Sequence, residues 1–329
     1  MKYIPVGQRD DTYDLFALVK RIEVKTSSKG QKYMDLTLGD KDGDVDAKYW
    51  DYQEGVTPMF EVNSIVKVRG QLQEFRGAPQ FRVSNIRAAV PSDNVRPEDY
   101  IATAEYQPEA MYRAILELAD GFSDRDLAEL LKAVFAKYKK ELLLYPAAVR
   151  LHHAMQGGLL YHTLSILRLC QQVAKLYPTV DEDLLITGAA LHDIGKIVEM
   201  DANELGLASQ YTTEGNLLGH LVVGAMMVRD VAKEIGTPED KVVLVEHMLI
   251  SHHGKPEFGA AVPPKFLEAI ILSKLDELDA TIYEVCETYT NVEAGEFSSR
   301  LWNFDNIALY NPGRADHPEP VAKLFDTED

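Results

Sequence analysis

The first ninety residues alternate in polarity. In Tyr33-Met34-Asp35-Leu36-Thr37-Leu38 the apolar Met34, Leu36 and Leu38 take every second position, the period of a half-buried strand. Val45, Ala47 and Tyr49 repeat the pattern, and Asp40-Lys41-Asp42-Gly43 between the two segments is a hairpin turn. Segments 13–25, 65–72 and 80–86 are apolar and β-rich. Turn signals at Ser27-Ser28-Lys29-Gly30 and Arg76-Gly77-Ala78-Pro79 divide them from their neighbours. The stretch up to Phe60 is less regular and has room for a short helix. Five strands with one irregular insert after the third predict a small closed barrel of OB type.

Past a linker at 91–106 that carries Pro91, Ser92, Asp93 and Pro97, the period turns helical. Helices are expected over 110–119 and 126–144, with Ser123 as the N-cap of the second. Another is expected over 158–177, where Leu159, His162, Ile166, Leu169, Val173 and Leu176 form one stripe. The reading is a multidomain β + α chain. It assigns an N-terminal five-stranded OB-type barrel to 1–90, an all-α domain to 107–310 and an acidic tail to 311–329.

At 329 residues the chain can fill two cores, and 46% apolar content is ordinary for a globular protein. No apolar run reaches the length of a membrane span, and Met1-Lys2-Tyr3-Ile4-Pro5 is not a secretory signal. Cys170 and Cys286 fall in apolar helical segments and read as buried free thiols, so a cytoplasmic location and no membrane partner are expected. A net charge of −18 argues against nucleic acid until it is divided along the chain. Residues 1–90 hold 14 Lys+Arg and 13 Asp+Glu, a net of +1, which leaves −19 for the remainder. If the alternation buries Val45, Val66 and Val68, it turns Tyr33, Lys48, Trp50, Lys67, Arg69 and Arg82 outward. Cations for phosphate and rings for bases suit single-stranded RNA or DNA.

The second part centres on His192-Asp193, which ends an apolar helical run. Gly188 and Leu185 lie one and two turns earlier, and Gly188 is read as leaving room beside the imidazole. His162, His220, His252, His253 and Asp276 also lie in or beside apolar helical segments. His220 leads a stripe through Gly224, Val228, Val231 and Ile235. His252 and His253 end a helix that begins near Pro238, and Asp276 follows Ala269 and Leu272 on a helix from about Pro264. Singly, each has a structural explanation: a hydrogen-bonded core histidine, a capping aspartate, an aspartate–lysine pair. Together, each would need its own buried partner, whereas a pair of cations satisfies them all. Mixed imidazole and carboxylate ligands suit Mn2+ or Fe, with Co or Mg as further options. The expectation is a two-metal hydrolase centre.

His162, then His192-Asp193, then Asp276 follow the order of the HD phosphohydrolase superfamily. Gly157-Gly158-Leu159-Leu160-Tyr161-His162-Thr163, Gly219-His220, Leu249-Ile250-Ser251-His252-His253-Gly254 and Asp276-Glu277-Leu278-Asp279-Ala280 resemble one branch of it. These are the YhaM-type 3′→5′ exoribonucleases, bacterial proteins with an OB domain ahead of an HD domain, and the resemblance runs through nearly the whole chain. It implies one metal held by His162, His192, Asp193 and Asp276. Asp193 would bridge to a second metal, held by His220, His252 and His253, and Lys196 would face a substrate phosphate. Asp193 and Lys196 are thus the catalytic candidates. Some HD relatives carry a glutamate for a third metal where this chain has Gly158, so two metals are expected. His152, His153 and His247 match the branch without an assigned role. The resemblance also implies the substrate, single-stranded RNA shortened from its 3′ end to nucleoside 5′-monophosphates. The ligand set alone would equally serve a phosphohydrolase of free nucleotides or cyclic dinucleotides with a regulatory barrel. A strand-binding adaptor with a degenerate centre is the non-enzymatic alternative, and a homo-oligomer is left open.

Overall fold

A computed structural model describes residues 12–41, 43–75, 77–96, 99–101, 106–148, 155–203, 205–314 and 324–325. The chain forms two compact units: 1–103 with 203–209, and 104–202 with 210–329.

The first unit holds strands β1 (Thr12–Thr26), β2 (Lys32–Asp40), β3 (Gly43–Tyr49), β4 (Ile65–Phe75) and β5 (Ala78–Ala88). They close into a barrel in the order β1-β2-β3-β5-β4, antiparallel except for β3 beside β5. A register shift between Val19 and Arg21 lets the long β1 serve both β2 and β4. Closure leaves no free edge. The alternating residues fill the interior: Met34, Leu36, Leu38, Ala47, Val66, Val68 and Phe81 are fully buried. The insert after β3 is a series of turns and not a short helix. Gly55, at φ 75°, and Pro58 interrupt it, and the Gln53 carbonyl accepts from the amides of Val56 and Thr57. Residues 203–209 belong to this unit through Asn203 Nδ2, which donates to the Asn63 carbonyl at 2.9 Å, and Asn63 Nδ2, which donates to that of Ala208 at 3.1 Å.

The second unit is built from α1 (Pro108–Asp120), α2 (Arg125–Lys137), α3 (Lys139–Leu144), α4 (Gly158–Leu176), α5 (Glu182–Leu191), α6 (Lys196–Glu199), α7 (Thr213–Ile235), α8 (Glu239–Ser251) and α9 (Leu267–Thr290). α4 and α5 form its centre, with α9 packed on both. The early turns of α4 and nearly all of α5 are buried all round, the mark of a core helix. The expected stripe on α4 drifts: Leu176 is exposed, and Cys170 and Ala174 face the core instead. Cys170 is buried, whereas Cys286 is only half-buried.

Several expectations need correction. The segment 126–144 is two helices, because Tyr138 leaves the helical region at φ −112°. The N-cap of α2 is Asp124, whose carboxylate accepts from the amides of Asp126 and Leu127; Ser123 instead donates to Asp183. Outside the barrel and the helices, the chain also forms two ribbons, β6 (Met200–Ala202) with β7 (Ala208–Tyr211), and β8 (Phe297–Leu301) with β9 (Ile307–Tyr310). The segment from 311 is not all tail. Asn311 exchanges backbone hydrogen bonds with Gly295 and Glu296, and Leu324 is buried in the helical core with its carbonyl accepting from Arg168 Nε at 2.9 Å. Among the described residues, no helix is long and apolar enough to cross a membrane.

Candidate metal centre and nucleic-acid face

α5 ends at the centre. His192 caps it, and Asp193 begins the turn that leads into α6. A Cβ on Gly195 would run into the His220 carbonyl and the Gly224 amide, so only glycine lets this turn lie against α7. Gly219 kinks α7 at φ 70°, ψ 159°, and frees the His220 amide to bond Glu199 Oε1 at 3.0 Å. α8 delivers His252 from its C-terminus in the same way as α5 delivers His192. Asp276 and Asp279 lie three residues apart on one face of α9. Gly188 serves a different neighbour from the one expected: a Cβ there would strike the Met248 side chain, so the glycine makes room for packing between α5 and α8.

These elements bring all seven expected ligand residues together. Asp193 lies between two sets of imidazoles. Its Oδ2 is 3.6 Å from His162 Nε2 and 3.3 Å from His192 Nε2. Its Oδ1 is 3.4 Å from His220 Nε2 and 3.8 Å from His252 Nε2. Asp276 Oδ1 stands 3.2 Å from His162 Nε2 and 3.9 Å from His192 Nε2. His253 joins His220 and His252 in a group with donor atoms within 4.8 Å of one another. Lys196 Nζ is 2.7 Å from Asp193 Oδ2 and lines the same cavity.

The tautomers are set from behind. Each of the five Nδ1 atoms faces an acceptor: Asp279 Oδ2 for His162 (2.9 Å), Glu199 Oε1 for His220 (2.9 Å), and the carbonyls of Ala189 for His192 (2.7 Å), Leu249 for His252 (2.8 Å) and Phe258 for His253 (2.7 Å). A proton at Nδ1 leaves the Nε2 lone pair for a cation. Ser165 hydrogen-bonds Asp279 in turn. Asp279 and Glu199, which stand behind His162 and His220, are the site positions missed from sequence. Asp279 was visible only as a second carboxylate one turn after Asp276, and Glu199 gave no signal because its partner is 21 residues away.

The electrostatics fit bound cations. Burial opposes charge on His162, but hydrogen bonds and charge from Asp276 and Asp279 outweigh it and push its pKa up to about 10. A cation at Nε2 would take the place of that proton. Burial also opposes the Asp193 carboxylate, yet the charges of Lys196 and His192 hold it well below the usual carboxylate range. The His252 pKa is also lowered, because burial and the neighbouring His192 keep the imidazole neutral. Asp193 Oδ1, His220 Nε2 and His252 Nε2 are buried without a hydrogen-bond partner, and Asp193 Oδ2 has Lys196 Nζ beside it. Orphaned polar atoms at this density are costly, and divalent metal ions satisfy them together. The donors are nitrogen and oxygen only, which matches first-row divalent metals.

Of the remaining histidines, His247 accepts from the Lys265 amide at 3.0 Å and packs on Phe266, a packing role. His152 and His153 lie outside the described residues.

The outward barrel residues divide into two groups. Lys48 and Arg82 are register neighbours on β3 and β5, and Tyr33 stacks on Trp50 with ring centroids 4.4 Å apart. Lys48 is not a free cation, since it pairs with the buried Asp35, as do Lys25 and Arg21. Lys67 and Arg69 lie on β4 opposite Phe16 and Asp14 of β1, with Lys67 Nζ 5.3 Å from the Phe16 ring centroid.

A closed five-stranded barrel followed by a helical unit with a histidine–aspartate centre defines an OB-plus-HD protein. Comparison with known families agrees: the HD domain family matches residues 159–281, and the OB-fold nucleic acid binding domain family matches 15–89. The 3′-5′ exoribonuclease YhaM of Listeria welshimeri is 37% identical over 302 residues, 92% of this chain and 96% of its own. Its namesake in Bacillus licheniformis is 35% identical over 311 residues, 94% and 98% of the two chains. The chain belongs to the YhaM family of 3′-5′ exoribonucleases.

Proposed function

We propose that this protein is a divalent-metal-dependent 3′→5′ exoribonuclease that shortens single-stranded RNA by nucleoside 5′-monophosphates. The observation that carries the reading is Asp193, whose two oxygens face separate pairs of imidazole Nε2 atoms. His162, His192 and Asp276 would share one metal with Asp193, and His220, His252 and His253 a second. Mn2+ is the favoured ion on ligand type. Bound divalent ions supply Lewis acidity and lower the pKa of water at neutral pH.

The chain's own groups supply the rest. Five imidazoles are held by their Nδ1 hydrogen bonds, so their lone pairs need no reorganisation when substrate enters. Burial holds the Lys196 ammonium back, but the Asp193 charge outweighs it and raises its pKa; the group stays cationic and can balance charge gathering on phosphoryl oxygens. The barrel would hold the upstream strand through Trp50, Tyr33, Arg82, Arg69 and Lys67, with Lys48 held back by Asp35, raising its local concentration at the site.

Digestion of 3′-labelled and 5′-labelled RNA with Mn2+ tests this. Labelled mononucleotide released at once from the 3′ label, with a shrinking ladder from the 5′ label, is expected. Two resistant strands with turnover of a free nucleotide would replace this reading with a mononucleotide phosphohydrolase. Activity that survives His192→Ala with Asp193→Ala would show that this centre does not do the chemistry. A deoxyribonucleotide strand run alongside decides RNA against DNA.

A further inference from the structure

The cavity that holds the centre measures about 940 Å³. That is near the top of the ~300–1,000 Å³ range that takes a whole organic ligand. Three aromatic residues from separate elements line it: Tyr211 at the end of β7, Phe258 in the 3-10 turn Pro256–Phe258, and Trp302 in the turn between β8 and β9. None is used for packing in the ordinary way, since they are 49%, 64% and 75% exposed. We propose that these rings form a stacking subsite for the bases of the substrate strand beside the metal centre. The proposal rests on the nuclease reading and adds where the strand lies.

Exposed rings around a polar, metal-binding floor mark a ligand surface. Their neighbours point to nucleic acid. Lys255 Nζ lies 5.8 Å from the centroid of Phe258, which sets a cation for phosphate beside a ring for a base. The Phe258 carbonyl is also the acceptor for His253 Nδ1, so the loop that presents the ring orients a metal-facing imidazole. Asn303 Nδ2 donates to Glu284 Oε2 at 2.7 Å and ties the turn carrying Trp302 to α9, the helix that bears Asp276. Every base has a π-face, so rings of this kind grip a strand without reading its sequence, as stepwise degradation requires.

The chain has two tryptophans, so Trp50→Phe leaves Trp302 as the sole indole. This variant, loaded with Mn2+, is titrated with an RNA whose last linkage is a slowly cleaved phosphorothioate. Indole fluorescence is expected to be quenched. A strand of equal charge with abasic residues at its last two positions is expected not to quench. In an otherwise unaltered chain, Trp302→Ala is expected to raise KM for RNA about tenfold, with Trp302→Phe recovering most of the loss. Equal quenching by intact and abasic strands, or no quenching by a strand the enzyme still degrades, overturns the subsite. Quenching in a protein that hydrolyses neither labelled RNA supports the subsite and sinks the nuclease reading.

Discussion

Asp279 accepts the Nδ1 proton of His162 at 2.9 Å, one turn of α9 beyond Asp276, which faces the Nε2 of the same imidazole at 3.2 Å. One helix thus places a carboxylate at each nitrogen of that ring. The outer one fixes the tautomer and makes the ring a better donor. Asp279→Asn keeps a hydrogen-bond acceptor but removes the charge. Metal affinity is expected to fall roughly 10- to 100-fold, read by competition with a chelating dye, while circular dichroism stays unchanged. Unaltered affinity would show that the charge on Asp279 does not act through His162.

Glu199 has the corresponding place behind His220, and it also holds the His220 amide at the kink of α7. Glu199→Gln is expected to cost metal at the His220 side alone. Metal analysis of the purified variant should approach half the wild-type content. Full content would argue that the kink by itself orients the imidazole.

Removal of metal should destabilise the helical unit, because it returns Asp193 Oδ1 and the His220 and His252 Nε2 atoms to an unsatisfied state. A ligand held at about 100 times its dissociation constant stabilises by roughly 2.7 kcal/mol. Chelation should lower the melting temperature of that transition, and Mn2+ should restore it. An identical melt with and without chelator would contradict a metal site here.

Gly195→Ala inserts a methyl group against the His220 carbonyl and the Gly224 amide, both main-chain atoms with little room to yield. Overpacking of this kind costs about 1–3 kcal/mol. The change also displaces the turn from Asp193 to Lys196, so activity should fall further than stability. A fully active variant would mean that the turn and α7 can separate freely.

The barrel has its own pH response. Burial raises the Asp35 pKa, but hydrogen bonds from Lys25 and Lys48 and the charges of Lys48 and Arg21 outweigh it and bring it down to about 2. An unfolded aspartate titrates near 3.9. The stabilising effect is therefore complete above about pH 4 and lost as the pH falls through about 2. Asp35→Asn should flatten this part of the acid-unfolding curve of the barrel, followed by Trp50 emission in a Trp302→Phe chain. An unchanged curve would place the acid transition elsewhere.

Period and type of residue were enough for much of this. Alternation in Met34, Leu36, Leu38 and in Val45, Ala47 is a property of neighbouring residues, so the barrel strands could be read directly, and the clustered histidines and aspartates stood out because apolar helices rarely bury such groups unpartnered. The division of labour among those groups was not written locally. That Asp193 turns one oxygen to each set of imidazoles, that Asp279 and Glu199 stand behind His162 and His220, and that Gly188 clears space for Met248 all depend on helices far apart in sequence packing side by side. The same holds for Leu324, whose burial depends on the α4 surface that receives it, and for Lys48, which the alternation turned outward and Asp35 then claimed. Local pattern fixes which face of an element is apolar; only packing decides what that face meets.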